Sequence, residues 1–111
     1  MCVSRTNVPL IIAAVHFALV LATVAYVYTS ADGQASLVWL FWSIADFPVS
    51  LLYFLAPIYS RFVYRVLEGT AAAHIFYLPH VIHGVVGTVW WFFIAWLLTG
   101  RSARRQAARV K

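Results

Sequence analysis

Val8-Pro-Leu-Ile-Ile-Ala-Ala-Val-His-Phe-Ala-Leu-Val-Leu-Ala-Thr-Val-Ala-Tyr-Val-Tyr28 is an apolar run interrupted only by His16 and Thr23. Wound as a helix, about 20 residues rise roughly 30 Å, the thickness of the hydrocarbon core of a bilayer. Pro9 suits the first turn, where its missing N–H costs nothing. The run is too long for a signal-peptide core of about 7–15 residues. It reads as a membrane span over residues 8–28.

The rest of the chain agrees with that reading. Of the 111 residues, 64% are hydrophobic and 10% charged, against about 45–50% and about 25% in soluble domains. So few charges cannot clothe a soluble globule of this size, which excludes that class along with a disordered tail and a nucleic-acid-binding module. The single cysteine, Cys2, permits no intrachain disulfide.

Working outward, Thr29 to Ser36 is polar and carries Asp32-Gly33, a tight-turn signal. Residues 37–59 form a second apolar stretch holding Asp46, Pro48 and Pro57, and are predicted to be a kinked span. Pro48 removes a donor and leaves the Ile44 carbonyl without its helical partner. Residues 60–68 mix Phe62, Val63, Val66 and Leu67 with Arg61, Arg65 and Glu68 at helical spacing. They predict a short interfacial helix stopped by Gly69. Pro79 opens a third span, 79–98, ended by Gly100. The expected fold is an all-α integral membrane protein: three transmembrane helices and one short interfacial helix in one domain, 1–100, followed by a basic tail, 101–111.

That tail carries Arg101, Arg104, Arg105, Arg109 and Lys111, five of the eight cations in a chain of net charge +5. Such a cluster after a span reads as lipid-headgroup binding on the cytoplasmic side of a plasma or inner membrane. Three spans put the termini on opposite sides, leaving Arg5, Arg61 and Arg65 outside, so the charge bias is weak. Insertion in both orientations, or orientation by a partner, would follow from that.

Helical rotation of about 100° per residue sorts the faces. Trp39, Trp42, Ser43, Ser50, Tyr53 and Pro57 share a stripe with Asp46. His80, His83, Gly84, Gly87 and Trp91 share another, opposite a face that includes Ile82, Val85, Val89 and Phe93. On the first span His16 lies opposite Ala14, Ala18, Ala22 and Ala25, a ridge of small residues suited to packing against another helix, as Gly84 and Gly87 are. If His16 faces inward, that ridge faces out.

Asp46 is the only formally charged residue inside a span, and a charge there costs about 2.5–3.5 kcal/mol. Together with Ser43, Ser50 and Tyr53 it reads either as a protonated, hydrogen-bonded structural group or as a proton or cation site. His16, His80 and His83 are candidate metal or haem ligands, His16 and His83 being the pair for a bis-histidine haem b. Rise per residue sets Asp46 about 10 Å away from His83 along the membrane normal in a three-span arrangement. That makes a four-ligand site including Asp46 strained. No phosphate loop, cysteine pair or nucleophile elbow is present, so catalytic activity of its own is not expected. The expected partners are the bilayer and other membrane subunits or a second copy, with no nucleic acid. The expected function is helix packing, as an accessory subunit or homo-oligomer. The alternatives are a haem or electron-transfer subunit, and a proton or cation pathway at Asp46.

Overall fold

The computed structural model describes residues 7–70 and 72–109, without the side chains of residues 72, 74, 103–107 and 109. Lys111 and the side chains of Arg104, Arg105 and Arg109 thus lie outside the described part. Helices alone make up the described secondary structure. Helix α1 covers Val8–Thr29 with proline in its first turn. The polar loop closes on an Asx turn, in which the Gln34 N–H donates to Asp32 Oδ1 at 2.9 Å. A 3₁₀ turn, Ala35–Leu37, leads into α2, Val38–Ala45. A 3₁₀ helix, Val49–Leu55, continues into α3, Ala56–Leu67. After the short α4, Ala72–Ile75, a π-helix, His80–Gly87, runs directly into α5, Thr88–Arg109.

Two rods, Val8–Thr29 and His80–Ser102, are long and apolar enough to cross a membrane. They run antiparallel. Tyr28, late in α1, has its ring 6.0 Å from that of His80. Midway, Val20 is the neighbour of Gly84, and His16, earlier in α1, bonds Thr88. Val8 and Ser102 therefore lie at the same end of the molecule. The expected three-span arrangement would have set these two rods parallel.

The reason is in the second apolar stretch. It is not one kinked rod over 37–59: Ala35–Ala45 and Val49–Leu67 meet at 119° across Asp46, Phe47 and Pro48. Helix α2 runs back along α1, with Trp42 Nε1 donating to Thr23 Oγ1 at 2.9 Å. It ends at Ala45, because Asp46 leaves the helical region and Pro48 has no N–H to continue the ladder. The Ile44 carbonyl is not orphaned, since the Phe47 N–H donates to it at 3.3 Å. The Phe47–Pro48 peptide is cis. The returning arm is tied to the His80 end, where the Tyr59 hydroxyl donates to the Phe76 carbonyl at 2.8 Å.

Other boundaries shift too. The helix expected at the interface begins at Ala56 rather than residue 60, and stops before Gly69, whose φ of 76° a side chain would resist. Its exposed Arg61, Tyr64, Arg65 and Glu68 lie on one arc, and the half-buried Tyr59 and Val63 on the other. The last rod passes through Gly100 to Arg109. Glycine weakens a helix interior by about 1 kcal/mol, but the alanine- and arginine-rich tail beyond it favours helix.

Val20, Trp39 and Trp42 form the apolar core, flanked by Val24, Val27, Val38 and Ala45. Lipid chains are as apolar as these side chains, so burying them against one another gains little; close packing and internal polar bonds must hold the bundle.

Candidate functional site

The polar bonds converge on Asp46. The turn after α2 drives its carboxyl into the space between α1 and the second rod, where it is 0% exposed. His16 enters from α1, with Nε2 2.9 Å from Oδ1. Trp91 Nε1 in α5 donates to the same oxygen at 2.9 Å. His83 enters from the π-helix, its Nδ1 2.7 Å from Oδ2. With Asp46 ionised, and so only an acceptor, the facing nitrogens are His16 Nε2–H and His83 Nδ1–H.

Each imidazole then has a hydroxyl behind it. His16 Nδ1 lies 3.0 Å from Thr88 Oγ1, and His83 Nε2 lies 2.9 Å from the Tyr53 hydroxyl. The result is one continuous chain, Thr88–His16–Asp46–His83–Tyr53, with contributions from both rods and both arms of the bent pair. Among the described residues no buried side-chain nitrogen or oxygen lacks a partner. That is the condition under which a polar network can sit in an apolar medium without a large penalty.

Aromatic rings enclose the chain. Trp39 lies parallel to His83, with centroids 5.8 Å apart at 8°. Trp42 meets His16 edge-on at 5.2 Å and 83°. The fit is tight at Gly87, where an added Cβ would lie 2.6 Å from Asp46 Oδ2. The π-helix matters to this packing. Its i→i+5 bonds widen the turn, so more residues face inward than an α-helix allows. Ile82, His83, Gly84 and Gly87 are all buried there. This corrects the placing of Ile82 on the lipid face.

Of the sequence candidates, Asp46, Tyr53, His16 and His83 come together. The expected separation of about 10 Å between Asp46 and His83 is replaced by direct bonding, because the rods are antiparallel rather than parallel. Ser43 stays out of the cluster, its hydroxyl donating to the Trp39 carbonyl at 2.9 Å. Ser50 reaches Asp46 through its backbone, N–H to carbonyl at 3.3 Å. His80 sits beside the site, among the rings of Tyr28, Trp39 and Tyr77. Sequence reasoning did not assign Trp91 or Thr88 as partners. Trp91 already lay on the histidine arc; nothing in the sequence singled out Thr88.

The same geometry bears on the metal and haem readings. Among the described residues no three His, Cys, Asp or Glu side chains are arranged to hold a metal ion. A haem between His16 and His83 would have to displace the Asp46 carboxyl that bridges them, and would take the nitrogens now bonded to it or to the two hydroxyls. The residues do not fit that group.

No family model, curated protein or solved structure matches this chain.

Proposed function

We propose that the chain is a small integral membrane protein that acts through its helix faces. In this reading it joins a second copy or another membrane subunit and carries no catalytic machinery of its own. The observation behind this is the division of its surfaces. The polar groups at mid-depth are spent on one another inside, while Ala14, Ala18, Ala22 and Ala25 are exposed along the outer face of α1. Backbones can approach closely over such a ridge, which is how helices associate in lipid. Ala18→Leu is expected to lower the oligomeric mass in mild detergent without changing insertion. An unchanged mass would refute this reading.

We also infer the topology. The bent pair enters and leaves on one side, giving two spans and a re-entrant pair rather than three spans. At its turn Asp46 is buried between the rods while Phe47 and Pro48 are exposed, and the Asp46 and Phe47 N–H groups both find carbonyls within the chain, as backbone at membrane depth must. This arrangement also strengthens the charge argument. Arg5 and the tail cations Arg101, Arg104, Arg105, Arg109 and Lys111 fall on one side, and Arg61 and Arg65 on the other. The terminal side is then cytoplasmic by the positive-inside rule, in a plasma or inner membrane. A membrane-impermeant maleimide tests it on the wild-type Cys2, and on Ser102→Cys and Ser60→Cys in a Cys2→Ser background. Cys2 and Ser102→Cys should react from one side and Ser60→Cys from the other. Reaction of Cys2 and Ser102→Cys from opposite sides would restore three spans.

A further inference from the structure

We propose that the Asp46 cluster is a proton-binding site that exchanges with only one side of the membrane, the side from which the bent pair enters, through Tyr53. This rests on the re-entrant topology for naming that side, but not on the oligomer reading.

The first ground is charge. The ionisable groups that face Asp46 are His16 from α1 and His83 from the π-helix; Tyr53 lies behind His83, and α5 adds only the neutral Thr88 and Trp91. No Lys or Arg is among them. With both imidazoles neutral the cluster carries one uncompensated negative charge at a fully buried position. One added proton makes it neutral, as a carboxylate, an imidazolium and an imidazole. At this depth an unpaired charge is costly, so the site favours holding one proton.

The second ground is that the geometry accepts the proton on either ring. A hydroxyl can donate to a neutral imidazole nitrogen or accept from an imidazolium N–H. Thr88 and Tyr53 stand at 3.0 and 2.9 Å from the two distal nitrogens. Both charge states are therefore satisfied with the heavy atoms left in place.

The third ground is that the two ends of the chain differ. Tyr53 is half-buried, on the arm that returns to the His80 end, where Tyr77 packs against His80. A proton reaching the Tyr53 oxygen lets the phenol pass its own to His83 Nε2, and no bond other than O–H and N–H changes. Thr88 is a blind end. Beyond it along α5 come Val89, Phe92, the buried Ala95 and Trp96. The next hydroxyls, Thr99 and Ser102, donate to carbonyls of their own helix. His16 also borders a groove of about 370 Å³ beside α1, but its other lining residues include Ile11, Ile12, Val15 and Leu19. That groove offers lipid rather than water.

The test uses the full chain with ¹⁵N-labelled histidine in vesicles whose two faces are buffered separately. Orientation is scored by maleimide at Cys2. The pH is stepped on one face from about 8 to about 5, the range over which histidine charge changes. The His16 and His83 ring signals should respond together, as one coupled unit. They should respond when the face opposite Cys2 is acidified, and not when the Cys2 face is. Tyr53→Phe should slow the response by about tenfold or more, the factor equivalent to losing one hydrogen-bonded step of about 1.4 kcal/mol. Val89→Ala, at an exposed position that makes no bond to the chain, should leave the rate unchanged. A response to neither face, to both equally, or to the Cys2 face alone would overturn the proposal. So would a Tyr53→Phe rate equal to wild type. If the maleimide pattern fails while the response stays one-sided, the topology is wrong and the site is not.

Discussion

Gly84 and Gly87 lie three residues apart in the π-helix and look equivalent in sequence, yet adding a methyl group to each should have opposite effects. At Gly84 a Cβ would meet only Val20 Cγ1, at 3.8 Å, an ordinary contact. Removing a glycine's backbone freedom then favours the folded state by about 0.4–1 kcal/mol. At Gly87 a Cβ would lie 2.6 Å from Asp46 Oδ2, 3.1 Å from Asp46 Cγ and 3.2 Å from His16 Cε1. None of these atoms is the free end of a flexible side chain. The carboxyl is fixed on both oxygens by His16, Trp91 and His83, at 2.9, 2.9 and 2.7 Å. Overpacking of a filled core costs about 1–3 kcal/mol. Shifting the carboxyl also weakens a buried hydrogen bond, for which membrane measurements average about 0.6 and reach about 1.7 kcal/mol. Set against the glycine gain, the net loss for Gly87→Ala is about 2 kcal/mol, whereas Gly84→Ala is neutral or stabilising. Unfolding of each variant in mixed micelles, titrated with a denaturing detergent, reads both values. Equal stabilities, or a Gly84→Ala less stable than Gly87→Ala, would refute the packing described around Asp46.

Three further outcomes follow from the same geometry. Trp91→Phe keeps the ring but removes one of two donors to Asp46 Oδ1, and should cost about 1 kcal/mol in the same unfolding assay. His83→Leu leaves both Asp46 Oδ2 and the Tyr53 hydroxyl without a partner. It should therefore lose more, about 3 kcal/mol, and more than an alanine at the exposed Val85. On α3, a spin label at Arg61 should be reached by a water-soluble relaxant and one at the exposed Phe62 by oxygen dissolved in lipid. Equal accessibility at the two positions would remove the interfacial reading of that helix.

The two rods apolar enough to cross a membrane and the inward facing of Asp46, His16 and His83 were legible from local pattern. An apolar run of span length has few ways to satisfy its backbone, and one acid inside such runs must face inward. Helical spacing likewise identified the alanine ridge that α1 leaves exposed. The second stretch read less well. Its stripe of Trp39, Trp42 and Asp46 was visible, but Ser43 and Ser50 share that stripe without sharing the cluster. Periodicity gives a direction around a helix and not the distance to what stands opposite. The π-helix was invisible because an i→i+5 ladder has no distinct residue signature, and Ile82 is buried within it.

By itself, the sequence determined that this chain has runs long and apolar enough to cross a membrane, where its rods begin, and which few polar side chains had to be sheltered. Tertiary structure alone decided that the chain doubles back at Asp46-Phe47-Pro48, so that α1 and the second rod run antiparallel. It also decided that three histidine candidates become a pair on one carboxylate, and that only one of two like glycines lies against that carboxylate. The physical reason is range. Hydrophobicity and turn chemistry act between neighbours in the chain. A proline can end a helix, but only the bonds from His16, His83 and Trp91 to one acid fix where the next arm goes.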